Sequence, residues 1–534
     1  MTNKQTAPNA ATQTDVLIVG CGPVGATLAS LLGRYGIRTL VIDKSPDILM
    51  MPRAIALDNE ALRVLQMAGL GEDAFARIPI PEVQMHSPVM GCFCTANTRG
   101  SLDGHPKLVT FYQPELEQAL ARTLDDLPSV TVWRRTELIN MHDDGNTVLA
   151  QVQRKTDGLE RGQQQTIRAR YLVGADGASS LVRSLIGQDF HGKTYGEDWL
   201  IVDACQRERA AIGHVEFICD PKRSVPHMPA PGGRERWEFM LHCGETREQM
   251  ERPEKIAELM APWAKGQNLQ VERTAVYRFH ARCCERFSKG RVFLVGDAAH
   301  ITPPFVGQGL VAGLRDVANL GWKLAWVIQG LASEQILASY DQERRPHALK
   351  MITLARFMGH LVMTRNKASA LLVHGLMRSA RLISPLRRYL EELRIKPANR
   401  YGSGLFQMRQ RQQGLTPGAQ LAQGWVRHNN RIQLSDDALG DRLLLVGFGI
   451  DPRDGLSEQE KLRWQTAGGG FFQFGVQNQA ANDGELAEDL NQSLAMGKAQ
   501  GSLAVVRPDK FIVCSGGAGS SGLLLQHSLG LLGK

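Results

Sequence analysis

Apolar residues along this chain follow three rhythms, and each predicts a different element. Short unbroken runs at Asp15–Val19, Thr39–Ile42, Arg168–Val173 and from Arg291 to Val295 read as buried strands of a parallel sheet. Helical spacing marks Ala26–Tyr35, Asn59–Ala68, a helix opened by Gln113 and Pro114, and Leu310–Gly330. Val130–Trp133 and Thr147–Gln153 add two more strands. Between about 190 and 280 the pattern turns to alternation, in Leu200–Asp203, His214–Cys219, Trp237–Leu241 and Thr274–Phe279, with a helical piece over 246–264. Alternation of this kind belongs to an antiparallel sheet. The predicted class is α/β, a Rossmann-like unit with an inserted mixed-sheet lobe.

Residues 334–400 are helical and basic, with breaks predicted at Pro346, Pro385 and Pro397. The stripe Leu371, Leu372, Leu376 is assigned to packing. From 401 a separate α/β domain is expected: strands Leu443–Gly447 and Phe471–Val476, a helix over 456–466, and a hairpin from Ser502–Arg507 to Lys510–Val513 across Pro508 and Asp509. The domains then run 14–185, 186–285, 286–400 and 401–534, the first and third completing one unit around the second.

Composition narrows the function classes. The 534 residues are 43% hydrophobic and 22% charged, as in soluble globular proteins of several domains. The net charge of +8 is spread over 62 basic and 54 acidic residues, which argues against a nucleic-acid partner and suits an anionic cofactor and a carboxylate substrate. Nine cysteines without a CxxC form neither a disulfide framework nor a metal site, and read as reduced thiols of a cytoplasmic enzyme. No apolar run reaches the ~18 residues of a membrane helix. The polar stretch from Met1 to Gln13 is expected to fray rather than to form a signal peptide.

The chemistry-bearing stretch is DVLIVGCGPVGATLASLLGRYGIRTLVID. Gly20 permits a sharp turn off the strand, Gly22 lets backbone approach a pyrophosphate, and Gly25 lets the helix pack on the sheet. The start of the helix offers free N–H groups and its positive dipole end to phosphate. Asp43, at the end of the second strand, stands where a carboxylate meets a ribose. A second GxGxxG, Gly517 to Gly522, follows an apolar strand, but the stretch after it is too short to supply a second strand and acid, so it is read as a flexible tail.

Three ordered motifs, GCGPVG…ID (20–43), GADGASSLVR (174–183) and GDAAHITPPFVGQG (296–309), resemble the single-component FAD-dependent aromatic hydroxylases, the group of the 4-hydroxybenzoate and phenol hydroxylases. PRAIALDNEALRVLQMAGL, WLIVDA, RWEFML and YDQERRPHA are similar to 3-(3-hydroxyphenyl)propionate hydroxylases in particular, and VVRPDKFIV to their C-terminal thioredoxin-like domain. The resemblance implies bound FAD, NADH or NADPH as a transient reductant, O2, a small aromatic substrate and a possible homodimer. It also implies hydroxylation through a flavin C4a-hydroperoxide, turning a phenolic acid into its catechol. TPPFVGQG and YRFHARCCERF look closer to the wider group, so another phenol or a hydroxylated heteroaromatic stays open as substrate.

The FAD site would include Gly20, Gly22, Pro23, Val24, Gly25, Asp43 and Lys44; Arg53, just past a loop, can pair with phosphate or an incoming nicotinamide cofactor, and Gln113 at its helix entry can hydrogen-bond a ring edge or serve only as a cap-region residue. Asp176 and Gly177 would be shared with the nicotinamide. Gly296, Asp297, Pro304, Gly307, Gln308, Gly309 and Leu310 would hold the ribityl and flavin end, the helix after Gly309 aiming its dipole at the reduced ring. The Pro304 carbonyl would lie by the substrate hydroxyl. His280 and Tyr277 are candidates to take the phenolic proton, His300 is expected to hold its turn, and Arg223, Arg234 and Arg236 are available for a substrate carboxylate. A disulfide oxidoreductase would need a second Rossmann unit and a redox cysteine pair, and a flavin-dependent halogenase a WxWxIP segment; the sequence has none of these. A non-catalytic flavin-binding protein is the alternative of a different class, and the intact third motif counts against it, because binding FAD alone needs less apparatus on the flavin side.

Overall fold

The computed structural model describes residues 12–155, 163–205, 210, 212–264, 269–364, 366–392, 395–407, 414–475, 485–490, 494 and 499–534. The N-terminal tail through residue 11, and Val476 at the end of a predicted strand, lie outside these.

The first sheet is built outward from Thr12–Val19, whose Val16, Leu17 and Ile18 are fully buried. Parallel partners flank it: Thr39–Ile42 and then Val130–Trp133 on one side, the long strand Gln163–Gly174 on the other. Val292–Leu294 pairs in parallel with the end of that long strand, so the third sequence motif emerges beside the first two. Thr136–Asp143, which the sequence pattern does not reveal, completes an antiparallel flap with Val148–Arg154. Helices Pro23–Arg34 and Gly309–Ile328 pack against each other over this sheet.

The second sheet has eight strands, and its strand Phe190–Cys205 separates two cores by simple alternation. Leu200 and Val202 join Trp237 and Phe239 under helix Pro253–Ala264, while Trp199 and Ile201 join Phe305 and Met85 on the other face. Two of its strands, Glu82–Ser87 and Gly91–Asn97, come from well before the alternating region, and Val225–Ala230 adds a strand absent from the pattern.

Three expectations for the C-terminal part are corrected. Pro346 does not break its helix, which runs from Ala338 to Val362; the Gln342 carbonyl that proline leaves without an intrahelical donor accepts from Ser403 Oγ at 3.5 Å. Leu371, Leu372 and Leu376 are not packed: they are 52%, 73% and 71% exposed on helix Lys367–Ala380. The last residues are no flexible tail but helix Ser521–Leu531, which buries Leu524, Leu525 and Leu529 in the main core.

That helix belongs to a thioredoxin-like unit. Parallel strands Leu443–Phe448 and Gly469–Gly475 are joined by helix Glu458–Thr466, and the hairpin Ser502–Val506 and Ile512–Gly517 follows. It carries no cysteine pair, and none of the nine cysteines of the chain is joined in a disulfide. Buried ion pairs fix it to the rest. Arg507 holds both oxygens of Glu343, at 2.7 and 3.1 Å, with Lys323 Nζ at 2.9 Å. Arg63 holds both oxygens of Asp436, at 2.6 and 2.8 Å.

Candidate functional site

One cavity of about 700 Å³ runs from the first glycine turn to the second sheet. At its first end the strand Thr12–Val19 turns at Gly20, held at φ +104°, a backbone conformation that favours glycine. A Cβ on Gly25 would run into the Gly20 carbonyl, while one on Gly22 would meet nothing within 4 Å, because Gly22, Pro23 and Val24 form cavity wall. The first intrahelical bond runs from Ala26 N–H to the Gly22 carbonyl, so earlier N–H groups of this turn have no helical acceptor.

A second helix start opens on the same cavity. The turn Pro304–Val306 ends at Gly307, φ +61°, whose N–H donates to the Pro304 carbonyl at 2.8 Å. Helix Gly309–Ile328 begins there, with Gly309 and Leu310 in the wall. Its first internal bond is Ala312 N–H to the Gln308 carbonyl, which leaves the N–H groups of Gly309, Leu310 and Val311 without helical acceptors. Two positive helix ends facing one cavity suit a ligand with a pyrophosphate at one end and an electron-rich ring edge at the other.

The loop Gly296–Ala298 is held from behind. Asp316, fully buried on the long helix, accepts from Gly296 N–H at 3.1 Å, shares a 2.7 Å hydrogen bond with His300 Nε2, and accepts from Arg344 Nε at 2.9 Å. His300 thus holds the turn. Asp297 opens into the cavity, where the surrounding protein raises its carboxyl above the ordinary value and His300 and Arg53 pull it back.

Other expected residues reach the cavity differently from the sequence reading. Asp43 spends its carboxylate on its own turn, accepting from Cys21 N–H and Ser45 N–H, both at 2.7 Å, and Lys44 beside it is exposed. Gln113 is a clamp: Oε1 accepts from Arg53 and Ala54 N–H at 2.8 and 2.7 Å, and Nε2 donates to Glu117. Arg53 is exposed and lines the cavity. Asp176 caps helix Leu181–Leu185, accepting from Ser180 Oγ and Val182 N–H, so that Ala175 and Gly177 face the cavity instead. Gln308 is tied to Asp58 and Arg315 at 3.0 and 3.1 Å.

The two candidate proton acceptors make their hydrogen bonds outside the cavity wall. Neither His280 nor Tyr277 lines the cavity. Their strand, Gln270–Cys284, lies between Phe190–Cys205 and the short strand His300–Ile301. His280 shares a 3.1 Å hydrogen bond with Thr194, and the Tyr277 hydroxyl accepts from Arg273, which is paired with Asp203. The proposed arginines are also spent: Arg223 on Glu245 at 2.7 Å, Arg234 on Glu272 at 2.8 Å, and Arg236 on Asp203 at 2.6 Å.

Sequence reasoning missed several wall residues. Asp58 and Glu60 meet Arg315 and Lys396 in a buried four-charge cluster, assembled by folding from three segments far apart in the chain. Lys107 also lines the cavity. Glu238 had a legible signal: an acid between Trp237 and Phe239 in an alternating strand must share a face with Arg236.

Comparison with known proteins agrees with this geometry. Residues 13–355 match the family model described as the FAD binding domain, and residues 418–527 match the HcaD C-terminal domain. The chain is 34% identical to 3-(3-hydroxy-phenyl)propionate/3-hydroxycinnamic acid hydroxylase 2 of Burkholderia vietnamiensis, over 94% of this chain and 93% of that one. It is 34% identical to the 3-(3-hydroxy-phenyl)propionate/3-hydroxycinnamic acid hydroxylase of Comamonas testosteroni, over 93% of each. Among solved structures, the flavin-dependent monooxygenase PieE shares the fold with a TM-score of 0.80 at 19% identity, covering 99% of this chain and 100% of PieE. The OxyS anhydrotetracycline hydroxylase of Streptomyces rimosus does so with 0.76 at 24%, covering 98% and 100%. With the FAD-binding domain spanning most of its length and hydroxylase relatives matching it nearly end to end, this chain belongs to the FAD-dependent aromatic hydroxylases.

Proposed function

We propose that the protein hydroxylates a phenolic acid of the 3-(3-hydroxyphenyl)propionate type to its catechol, using NADH or NADPH and O2. The observation that carries this reading is the continuity of the cavity. It joins two helix starts fit for FAD to a chamber walled by Met85, Phe217, Met228, Phe305, Met358 and Leu361, an apolar lining suited to an aromatic ring. FAD, when bound, supplies the reductive activation of O2. The chain's own work is to hold, orient and dehydrate. Gly22, Pro23, Val24, Gly25 and the turn closed by Asp43 receive the pyrophosphate end; Asp297, Gly307, Gln308, Gly309 and Leu310 receive the flavin end. The apolar wall keeps water from the reacting ring, which prevents loss of the activated oxygen. Pro304 lines the same cavity, and beside its bond to Gly307 N–H its carbonyl keeps a lone pair for a polar hydrogen of the bound ligands.

A carboxylate tail needs a cation. Lys107 and Arg53 line the cavity with no ion-pair partner among the described residues, and either suits a propionate better than the spent arginines. Nine cysteines outside any disulfide accord with a cytoplasmic setting, and no described helix is long and apolar enough to cross a membrane. The exposed leucines of helix Lys367–Ala380 offer apolar area for a homodimer.

The test is direct. Purified protein with a flavin spectrum is given NADH or NADPH and a panel of phenols with and without carboxylate tails, and products are identified. Stimulated oxidation with catechol formation from tailed phenols is expected. If no phenol yields a hydroxylated product, the reading fails.

A further inference from the structure

Strand Arg234–Met240 sends alternate side chains to opposite faces: Trp237 and Phe239 to the core under helix Pro253–Ala264, Arg236 and Glu238 to the cavity. Arg236 is fully engaged. It pairs with Asp203 through two hydrogen bonds of 2.6 and 3.0 Å and donates to the Pro52 and Arg53 carbonyls at 3.0 and 2.9 Å. Glu238 is not engaged. It is 9% exposed, it lines the cavity, and among the described residues no hydrogen-bond or ion-pair partner reaches its carboxylate.

Its surroundings define what it can accept. Ile201 pairs with it in register on the neighbouring strand, and Pro226 and Phe217, paired with each other, line the same wall. Leaving a carboxylate without a hydrogen-bond donor among apolar side chains is costly, and a ligand O–H would relieve that cost. An ionised Glu238 also repels a substrate carboxylate, so the hydroxyl is the end of a phenolic acid that it accepts.

We propose that Glu238 takes the proton of the substrate's phenolic hydroxyl. The inference rests on the phenolic reading above and supplies the acceptor that His280 and Tyr277 do not. The phenol O–H bond breaks, its electron pair stays on the phenolic oxygen, and the proton forms a new O–H bond on Glu238. The resulting phenolate ring is the more electron-rich partner for oxygen transfer. Charges facing this carboxyl come from three strands: Arg236 on its own, Asp203 on the next, and Arg273 with its Tyr277 contact on the third. Burial pushes the carboxyl up to about 7, with Arg236 opposing and Asp203 adding. Such a group is a stronger proton acceptor than an ordinary carboxylate and is still half ionised at neutral pH.

The experiment uses the FAD-loaded enzyme and two probes, 3-ethylphenol and its methyl ether, which lacks the acidic O–H. Binding is read from the flavin absorbance change between pH 6 and 8.5, and turnover from hydroxylated product. Wild type is expected to prefer the phenol by about 10-fold at pH 8, with the preference shrinking toward pH 6 as Glu238 becomes protonated. Glu238→Gln is expected to bind the ether as wild type does, to lose the pH-dependent preference, and to form product about 100-fold more slowly, with Glu238→Asp recovering part of the rate. A preference in wild type that does not change with pH overturns the proposal, as does a glutamine variant with near-normal turnover. If wild type hydroxylates no phenol, the functional reading itself falls and takes this assignment with it; normal wild-type hydroxylation with an unaffected variant sinks the assignment alone.

Discussion

Asp316→Asn tests whether the flavin-side turn is held by one buried carboxylate. Asp316 and Arg344 are both fully buried, and the carboxylate serves three donors. Oδ1 accepts from Arg344, while Oδ2 serves both His300 and Gly296 N–H. Asparagine keeps the shape but turns one oxygen into an NH2. In one orientation that NH2 faces the Arg344 guanidinium, donor against donor, beside an uncompensated buried charge. In the other it faces Gly296 N–H, which cannot change its role as His300 can by switching tautomer. Breaking a buried pair from one side costs about 3–5 kcal/mol. Spread over a unit of several hundred residues, that lowers the melting temperature on the order of 5 °C. Because Gly296 leads directly into Asp297 in the cavity wall, FAD affinity should fall too, by about 10-fold, equivalent to about 1.4 kcal/mol. Thermal melts of the deflavinated protein and flavin-fluorescence titrations measure the two effects separately. A variant that melts within about 1 °C of wild type and binds FAD within about twofold would show that Asp316 does not organise this turn.

Glu343 gives a pH signature. Burial would raise its carboxyl, but Arg507 and Lys323 outweigh that and hold it at about 2. Its folded value lies below the unfolded one, so its contribution is present above pH 4.5 and is lost as pH falls toward 2; it amounts to about 3 kcal/mol at most. Glu343→Gln should therefore flatten the acid limb of urea midpoints taken between pH 3 and 7, and an unchanged limb would refute the assignment. Gly25→Ala places a Cβ against the Gly20 carbonyl, so the purified variant should carry far less flavin, as its 450 nm absorbance would report. Leu372→Glu and Leu376→Glu alter exposed side chains and should leave stability within about 0.5 kcal/mol, whereas a large loss on melting would restore the packing role expected from sequence.

What could be read from the sequence was whatever one segment decides locally. The strand–turn–helix at Gly20 to Gly25 and the turn at Gly307 depend on glycine conformation and apolar runs within a few residues; the second helix starts at Gly309, one residue before the expected Leu310, and the first at Pro23, three before the expected Ala26. The misreadings share a different cause. Leu371, Leu372 and Leu376 have helical spacing, but spacing says which residues share a face and not whether anything covers it. Gly517 to Gly522 spells a glycine turn, yet the helix Ser521–Leu531 that follows is ordered by a core built mainly by residues hundreds of positions earlier. Apart from these misreadings, Asp43 and Asp176 stand at the right spacing for a ligand and each also accepts hydrogen bonds within its own turn, a demand that motif spelling does not show. The same demand explains Glu238 from the opposite side. Nearly every other buried acid near the site has a protein donor, as Asp58, Asp203, Asp316 and Glu343 do. Among the described residues, Glu238 faces the cavity nine-tenths buried with no such donor, and that unmet demand is what a substrate hydroxyl would satisfy in the proposal above.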